Sequence, residues 1–151
     1  MSGLLTEEIK SQIGRAAPTV HAEVTRRDIQ KYAASTGQTA QKYLDGDEAP
    51  PLIHMIYLLD VLPADQLRED GLVEDTLIPE LPLKRIMAGS SEMAYHRPIR
   101  PGDKLTMTRR LKDIYEKQGK SGPLIFVVLE VVVETEAGEA VLEETTSLIA
   151  R

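Results

Sequence analysis

At 151 residues and 16.7 kDa the chain is long enough for one compact domain with its own core and short for two. A net charge of −6 and a pI near 5.1 exclude a broad basic nucleic-acid face, because the clusters Arg109-Arg110 and Lys117-Gln118-Gly119-Lys120 are too short to outweigh the acidic balance. The absence of cysteine excludes a disulfide framework and a thiolate nucleophile, and with no metal-type Cys/His spacing no metal is expected.

The N-terminal stretch MSGLLTEEIKSQIG is acidic and amphipathic, unlike a secretory leader. No window reaches the roughly 20 apolar residues of a membrane span, so a soluble, cytoplasmic protein is expected. Thr6 before Glu7 and Glu8, with Ile9 and Ile13 on one face and Gly14 as a stop, predicts a short helix. Val20, Ala22 and Val24 alternate with polar residues and predict a short strand. Thr25-Arg26-Arg27-Asp28 has capping-box spacing, and Ile29, Tyr32 and Ala33 continue it as a helix ending near Gly37. After a polar loop, Pro50-Pro51 sits where a first helical turn tolerates proline, and LIHMIYLLDVL reads as a buried helix, apolar nearly all round. The connection from Pro63 to Pro82 is charged and punctuated by proline.

From Lys84 the period changes to two. RIMAGSSEMAYHRPI, KLTMTRRLKDIYEK, PLIFVVLEVVVETE and EAVLEETTSLIAR predict four strands, separated by the turns RPGD, KQGKSG and EAGE. These elements predict an α+β fold, a curved antiparallel sheet wrapped around a central helix. LIFVVLEVVV is too apolar for an edge exposed on both faces and is expected at the centre of the sheet or at a dimer interface.

The ordered set YAASTGQTAQKYLD, APPLIHMIYLL, LPLKRIMAGSSEMAYHRPIRPGDKL and KQGKSGPLIFVVLEVVVETEAGEAVLEE resembles the MaoC-like hot-dog family. Within it the likeness is to the N-terminal, FAS1-like dehydratase type, as in the N-terminal half of mesaconyl-CoA-type hydratases, and it runs from about Gly14 to Arg151. The resemblance implies a single hot-dog domain over residues 1–151. Family members that hydrate enoyl thioesters carry Tyr-x-x-x-[Ser/Thr]-Gly-Asp-x-Asn-Pro-x-His after the short helix, whose Asp and His hold a water and act as base and acid. Here Thr36-Gly37 matches the Ser-Gly step, but Gln38 takes the Asp position, Ala40 the Asn, Gln41 the Pro and Tyr43 the His. An amide takes no proton near neutral pH, and a tyrosine with an ordinary pKa of about 10 is a poor base there. The loop resembles a catalytic loop without its acid/base pair.

Other residues admit a chemical and a plain reading. Asp45 and Asp47 follow closely enough to replace the lost carboxylate, or are solvated turn residues. His54 on the apolar helix is a catalytic candidate or a satisfied core histidine, His96 a strand-end polar group, and His21 a solvated one. Gly119-Lys120-Ser121 lacks the upstream glycine of a nucleotide P-loop and joins two strands; Lys117 and Lys120 can still meet coenzyme A phosphates, or form a solvated hairpin. Met87-Ala88-Gly89 suits either a slot for an acyl-pantetheine arm or a bulge for sheet curvature. Pro50 and Pro51 carry no N–H, so an oxyanion donor falls to the Leu52–His54 amides. A thioesterase carboxylate at Asp60 would stand near the helix C-terminus, where the dipole disfavours it.

What the resemblance implies is a subunit of an acyl-thioester hydratase or dehydratase, with the Asp/His pair on a separate MaoC-like chain. Its substrate is an enoyl or 3-hydroxyacyl thioester of coenzyme A or of an acyl-carrier protein, without a cofactor. The alternative is a non-catalytic acyl-CoA-binding or scaffold homodimer.

Overall fold

The computed structural model describes residues 3–151. Thr6 accepts the Ile9 amide and opens α1 (Glu7–Lys10), and β1 follows at Val20–Glu23. Thr25 accepts the Asp28 amide at 3.1 Å and opens α2 (Arg26–Ser35), which buries Ile29 and Ala33. A one-turn helix, α3 (Gln41–Leu44), interrupts the loop that the sequence pattern left without structure.

The largest departure from expectation is α4, which covers only His54–Leu58. Leu52 turns left-handed at φ 73° directly after the two prolines, which delays the helix start. At the other end Leu59 leaves extended, and Leu59 and Val61 are 57% and 98% exposed. An apolar run with one wall to lean on buries only the residues that face it, here Ile53 and His54.

After a 3-10 turn at Ala64–Gln66 come β2 (Ile86–Tyr95), β3 (Lys104–Gly119), β4 (Gly122–Thr135) and β5 (Ala140–Ala150). The curved sheet runs β1-β3-β4-β5-β2 and is antiparallel throughout. The apolar strand β4 is paired on both sides, at the middle of the sheet, while the edges are the short β1 and the ten-residue β2. Register sets the inner face: Met107, Val133 and Leu142 lie in one row, and Leu111, Leu129 and Thr146 in another. Two apolar clusters pack on that face, one around Ile29, Ile53, Met107 and Val133, the other around Leu77, Leu111, Ile125 and Val127. No described helix is long and apolar enough to cross a membrane.

Candidate functional site

The loop between α2 and α4 is fastened to α2 by its own acidic groups. Asp47 pairs with Arg26, whose guanidinium also donates to the Asp45 carbonyl at 2.7 Å. Asp45 accepts from the Gln41 side chain at 2.7 Å. Between them Gly46 has φ +74°, and a Cβ there would lie 2.8 Å from the Arg26 carbonyl oxygen. Both aspartates are exposed and engaged in holding the loop, and neither approaches His54 by any hydrogen bond. Gln38 is half-buried with its amide N–H on the Ala33 carbonyl, and Tyr43 is half-buried under the Lys42 ammonium.

His54 is fully buried and its Nε2 lies 2.8 Å from Oε2 of Glu144, which is 5% exposed. Ser91 Oγ donates weakly to the other Glu144 oxygen at 3.4 Å, and His54 Nδ1 has no partner among the described residues. Sequence reasoning passed over Glu144. The signal was present, since alternation along β5 places it on the same face as Leu142 and opposite Val131.

Two cavities flank this pair. One, of about 340 Å³, lies where the loop meets the start of α4 and the end of β2, lined by Tyr43, Pro50, Leu52, His54, Tyr95 and His96. The Leu52 amide donates to Tyr95 Oη at 3.3 Å, and Tyr32 donates to the Pro51 carbonyl. Burial, followed by the neighbouring Tyr95, pushes the Tyr32 pKa up. The second cavity, of about 400 Å³, lies on the inner face beneath the end of α4, lined by Leu58, Met107, Arg109, Leu129, Val131 and Glu144. Tyr57 donates to Asp28 and ties α4 to α2; burial, then Asp28, raises its pKa.

Of the remaining sequence candidates, His96 lines the first cavity and Asp60 the second, while the others sit apart from both. Lys117 lies over the stacked rings of Tyr115 and Phe126 on the outer face, and Lys120 is exposed at the β3–β4 hairpin. Met87 is level with Ile149 and Phe126 across the sheet. Ala88 and Gly89 enter a bulge in β2, where a Cβ on Gly89 would lie 2.9 Å from the Ser147 carbonyl oxygen. The close backbone neighbour of Gly89 is β5 itself. His96 pairs with Glu143 at 3.1 Å in an exposed position, and His21 is exposed.

The family described as FAS1-like, dehydratase domain region, matches residues 11–144. Over 155 aligned residues the chain is 30% identical to a UPF0336 protein of Streptomyces coelicolor, covering 94% of both. A shorter likeness, 36% over 81 residues, covers 53% of this chain and 29% of the Mesaconyl-C(4)-CoA hydratase of Chloroflexus aurantiacus. Among solved structures, the ChsH1-ChsH2 complex from Mycobacterium tuberculosis gives a TM-score of 0.68 at 17% identity, covering 95% of this chain and 86% of that one. The C-terminally truncated HadBC (3R-hydroxyacyl-ACP dehydratase) complex from the same organism gives 0.61 at 17%, covering 88% and 95%. At that identity the two structures speak for the fold alone.

Proposed function

The chain belongs to the FAS1-like dehydratase branch of the MaoC-like hot-dog family, and from that premise we propose that it is the non-catalytic subunit of an acyl-thioester hydratase or dehydratase. A second hot-dog chain supplies the acid and base. The observation that carries this reading is the loop: amide and phenol stand at its two chemical positions, and its nearby carboxylates are spent on Arg26 and Gln41. The comparisons support the reaction class, the family by its description as a dehydratase region and one relative by its name as a hydratase.

The second chain needs a surface. The ten-residue β2 ends the sheet with an unpaired edge and is exposed along nearly its whole length, so it offers a row of backbone donors and acceptors to another strand. We place the partner there. Adding water to an enoyl thioester puts hydroxyl on C3 and a proton on C2, so the partner's base takes the proton from water and its acid delivers one to C2. This chain contributes walls, and no proton transfer is assigned to its residues.

The test is hydration of crotonyl-CoA and mesaconyl-CoA by the purified chain alone and after mixing with MaoC-like chains that keep Asp and His. Turnover is expected only in a mixture. Turnover by the isolated chain, abolished by His54→Ala, would overturn the proposal. Thioester binding with no turnover in any mixture would favour the acyl-CoA-binding homodimer instead.

A further inference from the structure

Resting on the thioester reading above, with the inner-face cavity as its acyl subsite, we propose that Asp60 and Glu74 make this cavity select an uncharged acyl chain against one that ends in a carboxylate. The cavity exists because α4 is short. The helix stops at Leu58, the chain departs extended at Leu59, and a space remains over Met107, Leu129 and Val131 on the inner face. The opposite wall is the segment Val73–Thr76, held by Arg109 to Asp75 at 2.6 Å and by Arg15 to the Thr76 carbonyl. At about 400 Å³ the space falls in the range of about 300–1,000 Å³ that small-molecule sites occupy. Its floor of Met107, Leu129 and Val131 is apolar.

Charge decides what fits. Among the described residues Arg109 is the only cation in the lining, and it is already matched to Asp75. Glu144 is matched to His54, with Nε2 2.8 Å from Oε2. Asp60 and Glu74 also line the cavity, are exposed, and have no ion-pair partner among the described residues. With Arg109 offset by Asp75, the carboxylates Asp60 and Glu74 leave the lining with an excess of acidic groups. An alkyl or alicyclic tail gains the apolar floor without meeting this charge, whereas a terminal carboxylate meets it with no unpaired cation among the described lining residues, Arg15 being turned to the Thr76 carbonyl.

Calorimetric titration of the chain, alone and in the active mixture, with hexanoyl-CoA, adipoyl-CoA and free CoA separates the cases. The first two share six acyl carbons and differ by the terminal carboxylate. Hexanoyl-CoA is expected to bind tighter than adipoyl-CoA by on the order of tenfold. The Asp60→Lys/Glu74→Lys double variant, changed only at exposed positions, is expected to erase that ratio. Thr146→Phe, which fills the cavity floor, is expected to weaken hexanoyl-CoA about tenfold and leave free CoA unchanged. Equal affinity for both thioesters, or a ratio unmoved by the charge reversal, sinks the inference and leaves the hydratase reading standing. So does loss of binding when the partner is added, which would make the cavity part of the protein interface. Absence of binding by every thioester in both preparations sinks the two together.

Discussion

Glu144 and His54 form a carboxylate–imidazole pair inside an apolar cluster, and its worth to stability depends on what is removed. Deleting one partner leaves the other buried without its hydrogen-bond partner, so His54→Ala or Glu144→Ala is expected to cost about 3–5 kcal/mol. Replacing both, as His54→Leu with Glu144→Met, is expected to cost far less, because packing is kept and no charge is left buried. Urea denaturation of the two single variants and the double one measures the difference. Leu52 is the other exceptional residue: at φ 73° it pays a steric cost that glycine does not. The denaturation midpoint is expected to rank Gly above Leu above Val at position 52. The step to glycine is worth about 0.5–1 kcal/mol, since the relief of strain is offset by the larger unfolded-state entropy of glycine.

At the scale of elements, the loop between α2 and α4 is a docked piece of structure, with Gly46 against the Arg26 backbone and Arg26 gripping Asp45 and Asp47. Gly14 has a comparable positive φ of +91° but nothing within 4 Å of an added Cβ. Gly14→Ala is therefore expected to cost the left-handed penalty of about 1–2 kcal/mol, and Gly46→Ala that penalty plus a backbone clash. A larger drop in thermal midpoint for Gly46→Ala checks this; equal drops would mean that the loop lifts freely from α2. The same comparison bears on function, because a loop locked by its own carboxylates cannot lend Asp45 or Asp47 to a distant reaction centre.

For the molecule as a whole, acid stability follows from its shielded carboxylates. Burial alone would raise Asp103, but hydrogen bonds from the Arg97 side chain and the Arg100 amide outweigh it and hold its pKa below the ordinary value. Glu130 is likewise raised by burial and, more strongly, lowered by Lys112 and Arg110. A depressed carboxylate binds its proton more readily when unfolded, so its contribution is complete above the unfolded pKa, about 4, and is lost as pH falls through the lower folded value. Melting temperature is therefore expected to fall below about pH 4. Asp103→Asn is expected to lower it near neutrality and flatten the acid decline, so the two curves converge at low pH. Period-two alternation and turn residues by themselves determined the five strands and the caps at Thr6 and Thr25, because strand faces and helix starts are written locally; they left β4 either central or at a dimer interface, and the strand order put it at the centre. The loop motif, set against the family's, likewise reads in one dimension as an amide, Gln38, and a phenol, Tyr43, at the positions that the resemblance assigns to an acid and a base. Only the tertiary structure decided that α4 is one turn long, that Glu144 meets His54 across 90 positions, and that an acidic-lined cavity opens beneath them. Helix length in an apolar run depends on how much wall there is to lean on, and a contact between distant residues depends on sheet register, so neither is carried by any local stretch of sequence.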